Sequence, residues 1–133
     1  MNTVALGSET NAIEIQMKSN TAMQDNLLHQ KLVDVYLNFT NNILPQIALK
    51  PGCNWPIKEN HCFQRVILDN LFNGVWQTHL SSPAYKNMSI NQLKSAINTC
   101  ENIRAGSVSI YKLNQQSIDW RKQQRTQQLN LIF

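Results

Sequence analysis

Apolar residues recur at intervals of three and four along most of this chain, and that spacing confines the fold to packed helices. Leu28, Leu32, Val35, Phe39 and Ile43 step by four, three, four and four, which makes one stripe on a long helix. Phe63, Val66, Ile67, Leu71 and Val75 repeat the pattern, as do Leu93, Ala96, Ile97, Cys100 and Ile103. Alternating apolar and polar residues between turn signals, the mark of a half-buried strand, stand out nowhere, and no internal repeat is visible. The expected fold is all-α: a four-helix bundle or orthogonal helical array with a flexible N-terminal arm.

Residues 1–20 have no period and mix Gly7, Ser8, Asn11, Ser19 and Asn20 with Ile13, Ile15 and Met17, so they are assigned to the arm. Residues 21–133 form a single helical domain. Thr21-Ala22-Met23-Gln24 reads as a capping box that starts the first helix. Pro45 is expected to end or kink that helix, and Lys50-Pro51-Gly52 to close the segment. A loop from Pro51 to about Lys58 leads to a second helix, Glu59 to Leu80. Gly74 inside it costs about 1 kcal/mol relative to Ala and suits a close helix crossing.

After the break at Ser81-Ser82-Pro83, a second capping box, Ser89-Ile90-Asn91-Gln92, opens a helix with Arg104 in its last turn and Gly106 as its C-cap. A fourth helix runs from about Val108 to Gln127, with Ile110, Tyr111, Leu113, Ile118 and Trp120 as apolar contacts. The apolar tail, Leu129 to Phe133, is expected to dock on the body or on another subunit.

Composition narrows the function classes. With 133 residues, 42% of them hydrophobic, the chain has the size and burial capacity of one domain. No apolar run approaches the roughly 20 residues of a membrane span. The first residues lack the basic and apolar blocks of a secretory signal, so the expected compartment is the cytoplasm. Cys53, Cys62 and Cys100 are too irregular in number and spacing for a disulfide framework and are read as reduced. The net charge of +4 permits an acidic partner without demanding one, and only Arg121, Lys122 and Arg125 cluster. Four glycines are too few for a phosphate-cradling loop, and no dinucleotide fingerprint is present.

The densest group of chemistry-bearing residues lies between Cys53 and Asn70. On a helix His61, Arg65 and Asp69 share one face, where Arg65 and Asp69 can pair and His61 can titrate near neutral pH. A polar row opposite an apolar one is also the ordinary make-up of a surface helix. Trp55 and Trp76 can wall a groove or fill a core. Cys62 follows His61 directly, and adjacent helical side chains diverge by about 100°, so the pair is not a nucleophile and its base. Cys53, His61, Cys62 and Cys100 lack metal-ligand spacing, and no metal site is expected. The break carrying Lys86, followed by the helix with Asn91, Lys94, Ser95, Asn98 and Thr99, has the order of a helix-turn-helix. Its face is short of the cations that phosphate binding requires.

The set Trp55-Pro56, His61-Cys62-Phe63-x-Arg65, Asp69-Asn70, Trp76, Pro83-Ala84-Tyr85-Lys86-Asn87 and Ser117-x-x-Trp120-Arg121 resembles a group of short bacterial proteins named GCN5-related acetyltransferases. The resemblance covers roughly the second half of the chain. It implies a shared polar face of His61, Arg65, Asp69 and Asn70 with Lys86 as a nearby cation. The mixed α/β fold of that superfamily and its Q/R-x-x-G-x-G/A loop have no counterpart in these residues.

The leading expectation is a non-enzymatic interaction module that self-associates, as a dimer, through the first helix or the tail. The alternative is a small-ligand binder or acetyltransferase-like enzyme. It would use Trp55, His61, Arg65, Asp69, Asn70, Trp76 and Lys86, with acetyl-CoA as cofactor only in that case. A weak nucleic-acid binder is the third reading, and no membrane partner is expected.

Overall fold

The computed structural model describes residues 3–132, with side chains from Asn11 to Leu131. Six α-helices follow one another: α1 (Thr3–Asn38), α2 (Leu44–Ala48), α3 (Asn60–Phe72), α4 (Ala84–Asn87), α5 (Ile90–Ala105) and α6 (Ile110–Ile132). A π-helical turn, Phe39–Ile43, joins α1 to α2, and a 3₁₀ turn, Trp76–Thr78, follows α3. No strand occurs among the described residues, so the all-α expectation holds. No helix among them is long and apolar enough to cross a membrane.

α1 packs on α5, while α3 packs on α5 along one side and on α6 along another. The core gathers Tyr36, Leu44, Phe63, Val66, Ile67, Leu93, Ala96 and Cys100, all almost completely enclosed. Burying a large apolar side chain of this kind contributes about 1.5–3 kcal/mol each, which is what holds three helices against one another.

Local chemistry fixes the helix ends. Ser89 accepts from the Gln92 N–H at 3.1 Å and Gln92 Oε1 accepts from the Ser89 N–H at 2.9 Å, completing the second expected capping box. Gly106 closes α5 at φ 77°, a left-handed conformation that costs glycine no strain. The first capping box does not form. Thr21 sits in the middle of α1, where its hydroxyl donates to the Met17 carbonyl 3.0 Å away. A threonine inside a continuous helix satisfies its hydroxyl on the preceding turn instead of capping a new one.

The buried face of α1 is also displaced. Leu28 and Val35 are exposed and Leu32 and Ile43 half-buried, whereas Val33, Tyr36, Thr40 and Leu44 are enclosed. Phe39 is enclosed as expected, but the other buried positions fall one residue after their expected counterparts, a rotation of about 100°. The cause is that this face carries two polar atoms, the hydroxyls of Tyr36 and Thr40, which an apolar count passes over. Pro45 neither ends the helix nor stands in its interior. The Leu44 N–H bonds to the Phe39 carbonyl five residues back, and Pro45 then enters the first turn of α2, where its missing N–H is tolerated.

α3 is shorter than expected. It stops at Phe72, where Asn73 takes a left-handed conformation (φ 52°) and the Gly74 N–H bonds to the Asp69 carbonyl. Gly74 therefore lies beyond the helix and at no crossing: a Cβ there would meet only His79 Nε2, at 4.0 Å. The described apolar side chains of the tail do not dock on the body. α6 runs on through it, with Leu129 and Leu131 exposed, while Phe133 lies outside the described residues.

Candidate functional site: a two-arginine cavity

The seam between α3 and α6 is built from polar side chains. Counting along α6, the residues turned inward are Ile110, Asn114, Ser117 and Arg121, at helical spacing. The expected apolar contacts Leu113, Ile118 and Trp120 are only half-buried, and Tyr111 is exposed with its hydroxyl donating to the Asn54 carbonyl. The polar stripe is buried because α3 presents charged partners to it.

Asp69 is the centre of the seam and is fully enclosed. Its Oδ2 accepts from Arg121 Nε at 2.8 Å and from the Ser117 hydroxyl at 2.6 Å. Its Oδ1 accepts from Arg121 Nη2 at 2.9 Å and from the Trp76 backbone N–H at 3.0 Å. Four donors fill the acceptor sites of one carboxylate, which is how a buried charge becomes tolerable. The last of these bonds anchors the 3₁₀ turn that follows α3.

Arg65 does not pair with Asp69, as its i,i+4 position suggested. It leans toward α6, where Nη1 donates to Ser117 Oγ at 2.6 Å and Nη2 donates to Asn114 Oδ1 at 2.9 Å. The bidentate geometry of Arg121 wins the carboxylate, and Ser117 relays between the two. Among the described residues no carboxylate lies within ion-pair distance of Arg65. Arg121 Nη2 also donates to Gln77 Oε1 at 3.0 Å, so both guanidinium groups are held by at least two bonds.

Both arginines face a cavity of about 460 Å³. His61, Gln64 and Gln77 add polar groups to its wall, and Leu68, Trp76, Pro83, Ala84 and Tyr85 supply the apolar remainder. Tyr36 of α1 also borders it. Its hydroxyl is buried without a hydrogen-bond partner among the described residues. Burial and the neighbouring Cys100 raise the phenol far above its ordinary range, so the group stays a neutral donor. The π turn directly after Tyr36 is tied to the same wall, since Gln64 Nε2 donates to Thr40 Oγ1 at 3.1 Å.

Of the residues singled out from sequence, His61, Arg65 and Trp76 line the cavity and Asp69 braces it from beneath. The other three lie elsewhere. Trp55 packs edge-on against Phe63, with centroids 5.9 Å apart. Asn70 bonds to the carbonyls of Val66 and Leu113 and ties α3 to α6. Lys86 is exposed on α4.

Glu59, His61 and Cys62 bring their ligand atoms within 4.8 Å of one another at the start of α3. The positive end of the helix dipole lies there, which opposes a cation, and His61 is already 3.2 Å from Glu59. Cys100 is buried, and its thiol is pushed up to about 12 by burial and by Glu101.

Comparison of the chain with protein-family models, curated proteins and solved structures finds no match.

Proposed function

We propose that this protein binds a small organic anion in the cavity between α3, α6 and the Trp76–Tyr85 segment. The observation that carries the reading is the pair of guanidinium groups, both braced by neighbouring side chains and both facing one cavity. A fixed arginine has already lost most of its side-chain freedom, so little entropy is left to lose when an anion arrives. The volume falls in the range typical of small-molecule sites, and the wall has the usual mix of apolar surface with a few convergent polar groups. The role is binding and not acetyl transfer, because the two arginines and Asp69 sum to one positive charge, a poor match for the several phosphates of acetyl-CoA.

A thermal-shift panel of organic anions at low salt tests this. At least one anion is expected to raise the melting temperature of the wild type and to leave Arg65→Ala unmoved. A panel without any shift, or with equal shifts in both proteins, would remove the reading.

A second reading concerns assembly: self-association through α1 as a dimer. Every described side chain from Asn11 to Leu28 is exposed, Ile13, Met17, Leu27 and Leu28 among them. These four lie on one side of the helix, away from the face that Val33 and Tyr36 turn to the core. A helix outside the body lacks the tertiary packing from which helices draw most of their stability, and a second copy supplies it. Sedimentation is expected to show a dimer at tens of micromolar. A monomer at that concentration would contradict it.

A further inference from the structure

We infer that the ligand of this cavity is an aromatic monocarboxylate bearing a hydrogen-bond acceptor at the end remote from its carboxylate. The inference rests on the anion-binding reading and names the class of anion.

Charge selects the carboxylate. The charged side chains at the site are Arg65, Arg121 and, bonded to the latter, Asp69. His61 and Glu59, 3.2 Å apart, are largely exposed, so water screens them from the two arginines. One net positive charge is neutralised by one carboxylate. A phosphate monoester, carrying about −1.5 to −2 at neutral pH, would leave a negative excess in a partly desolvated site. Shape alone does not discriminate, because the guanidinium fork fits both groups.

The donors still unused agree with that count. A guanidinium has five N–H groups. Arg121 engages its Nε and Nη2 atoms with Asp69 and Gln77 and keeps Nη1 free. Arg65 engages one N–H on each terminal nitrogen and keeps Nε–H free. Two braced cations thus offer N–H groups to one oxyanion.

The rest of the ligand is read from the remaining wall. Trp76 and Tyr85 offer aromatic surface, and Leu68, Pro83 and Ala84 exclude polar groups, which suits a planar apolar body. Tyr36 also borders the cavity, and its buried hydroxyl has no partner among the described residues. A buried polar group left without a partner is destabilising, and an oxygen at the far end of the ligand supplies the acceptor it lacks.

Titration calorimetry with the full-length protein and four matched probes tests the assignment: 4-hydroxybenzoate, benzoate, phenyl phosphate and benzamide. Wild type is expected to bind 4-hydroxybenzoate about fivefold more tightly than benzoate, the worth of one hydrogen bond. Tyr36→Phe, which keeps the ring, should bring the two to equal affinity. Phenyl phosphate should bind about tenfold more weakly than benzoate, and uncharged benzamide should not bind. Phenyl phosphate binding as tightly as benzoate would overturn the carboxylate class while leaving anion binding intact. An unchanged preference in Tyr36→Phe would overturn the role of the hydroxyl. Silence from all three anions would defeat the underlying reading as well.

Discussion

The two sides of α3 are built on opposite principles. Phe63, Val66 and Ile67 enter the apolar core with α1 and α5, where shape and burial decide the contact. Arg65 and Asp69 meet α6 through hydrogen bonds of 2.6–2.9 Å with Asn114, Ser117 and Arg121, where direction decides it. The apolar side tolerates changes of shape as long as volume is kept. The polar side tolerates no lost partner, because each removed group strands another one in a buried place. That intolerance is what aims two guanidinium groups at one cavity.

Substitutions on the two sides separate these principles. Phe63→Ala should have the largest effect, a loss of about 3–5 kcal/mol in denaturant unfolding from lost burial and the cavity left behind. Asp69→Asn keeps the volume yet should still cost about 3 kcal/mol, the low end for a broken buried pair because Arg121 is a quarter exposed. A cost below about 1 kcal/mol would mean that the seam is not the directional device described here.

Alkaline pH probes the core without any substitution. Cys100 is pushed up to about 12 in the fold and Tyr36 is raised as well. The unfolded chain therefore releases these protons first as pH rises above about 9, and stability falls from there on. Cys100 alone gives a loss of about 1 kcal/mol between pH 9 and 10, readable in urea titrations at the two values. The smallest effect is expected from deleting residues 1–24, whose described side chains are all exposed: less than about 0.5 kcal/mol in the unfolding of the body. The same deletion tests the proposed self-association: it should leave a monomer at the concentration where the full chain is expected to sediment as a dimer.

How much of this the sequence disclosed follows the same division. The core of α5 and the capping box at Ser89 were legible because their chemistry is local and their face is apolar throughout. The end of α3 was missed: Val75 continued the apolar pattern and carried the expected helix to Leu80, past the left-handed Asn73 that stops it. The face of α1 was placed correctly at Phe39 and one residue off elsewhere, because Tyr36 and Thr40 bury polar atoms. The α6 stripe of Asn114, Ser117 and Arg121 was hidden for a related reason: polar residues at helical spacing read as a solvated face until a partner carrying Asp69 is set opposite. The signal able to expose it is that same spacing, i, i+3 and i+7, within the segment ending Ser117-x-x-Trp120-Arg121. The cavity itself joins α1, α3, the segment after it and α6, which no local pattern can bring together.

The most direct test follows the arginine side chains by nuclear magnetic resonance in ¹⁵N-labelled protein as 4-hydroxybenzoate is added. The Arg65 Nε–H signal is expected to move and saturate, while those of Arg104 and Arg125, exposed on α5 and α6, stay in place. An Arg65 signal that does not respond, or that drifts in step with Arg104, would contradict a cavity built around that guanidinium.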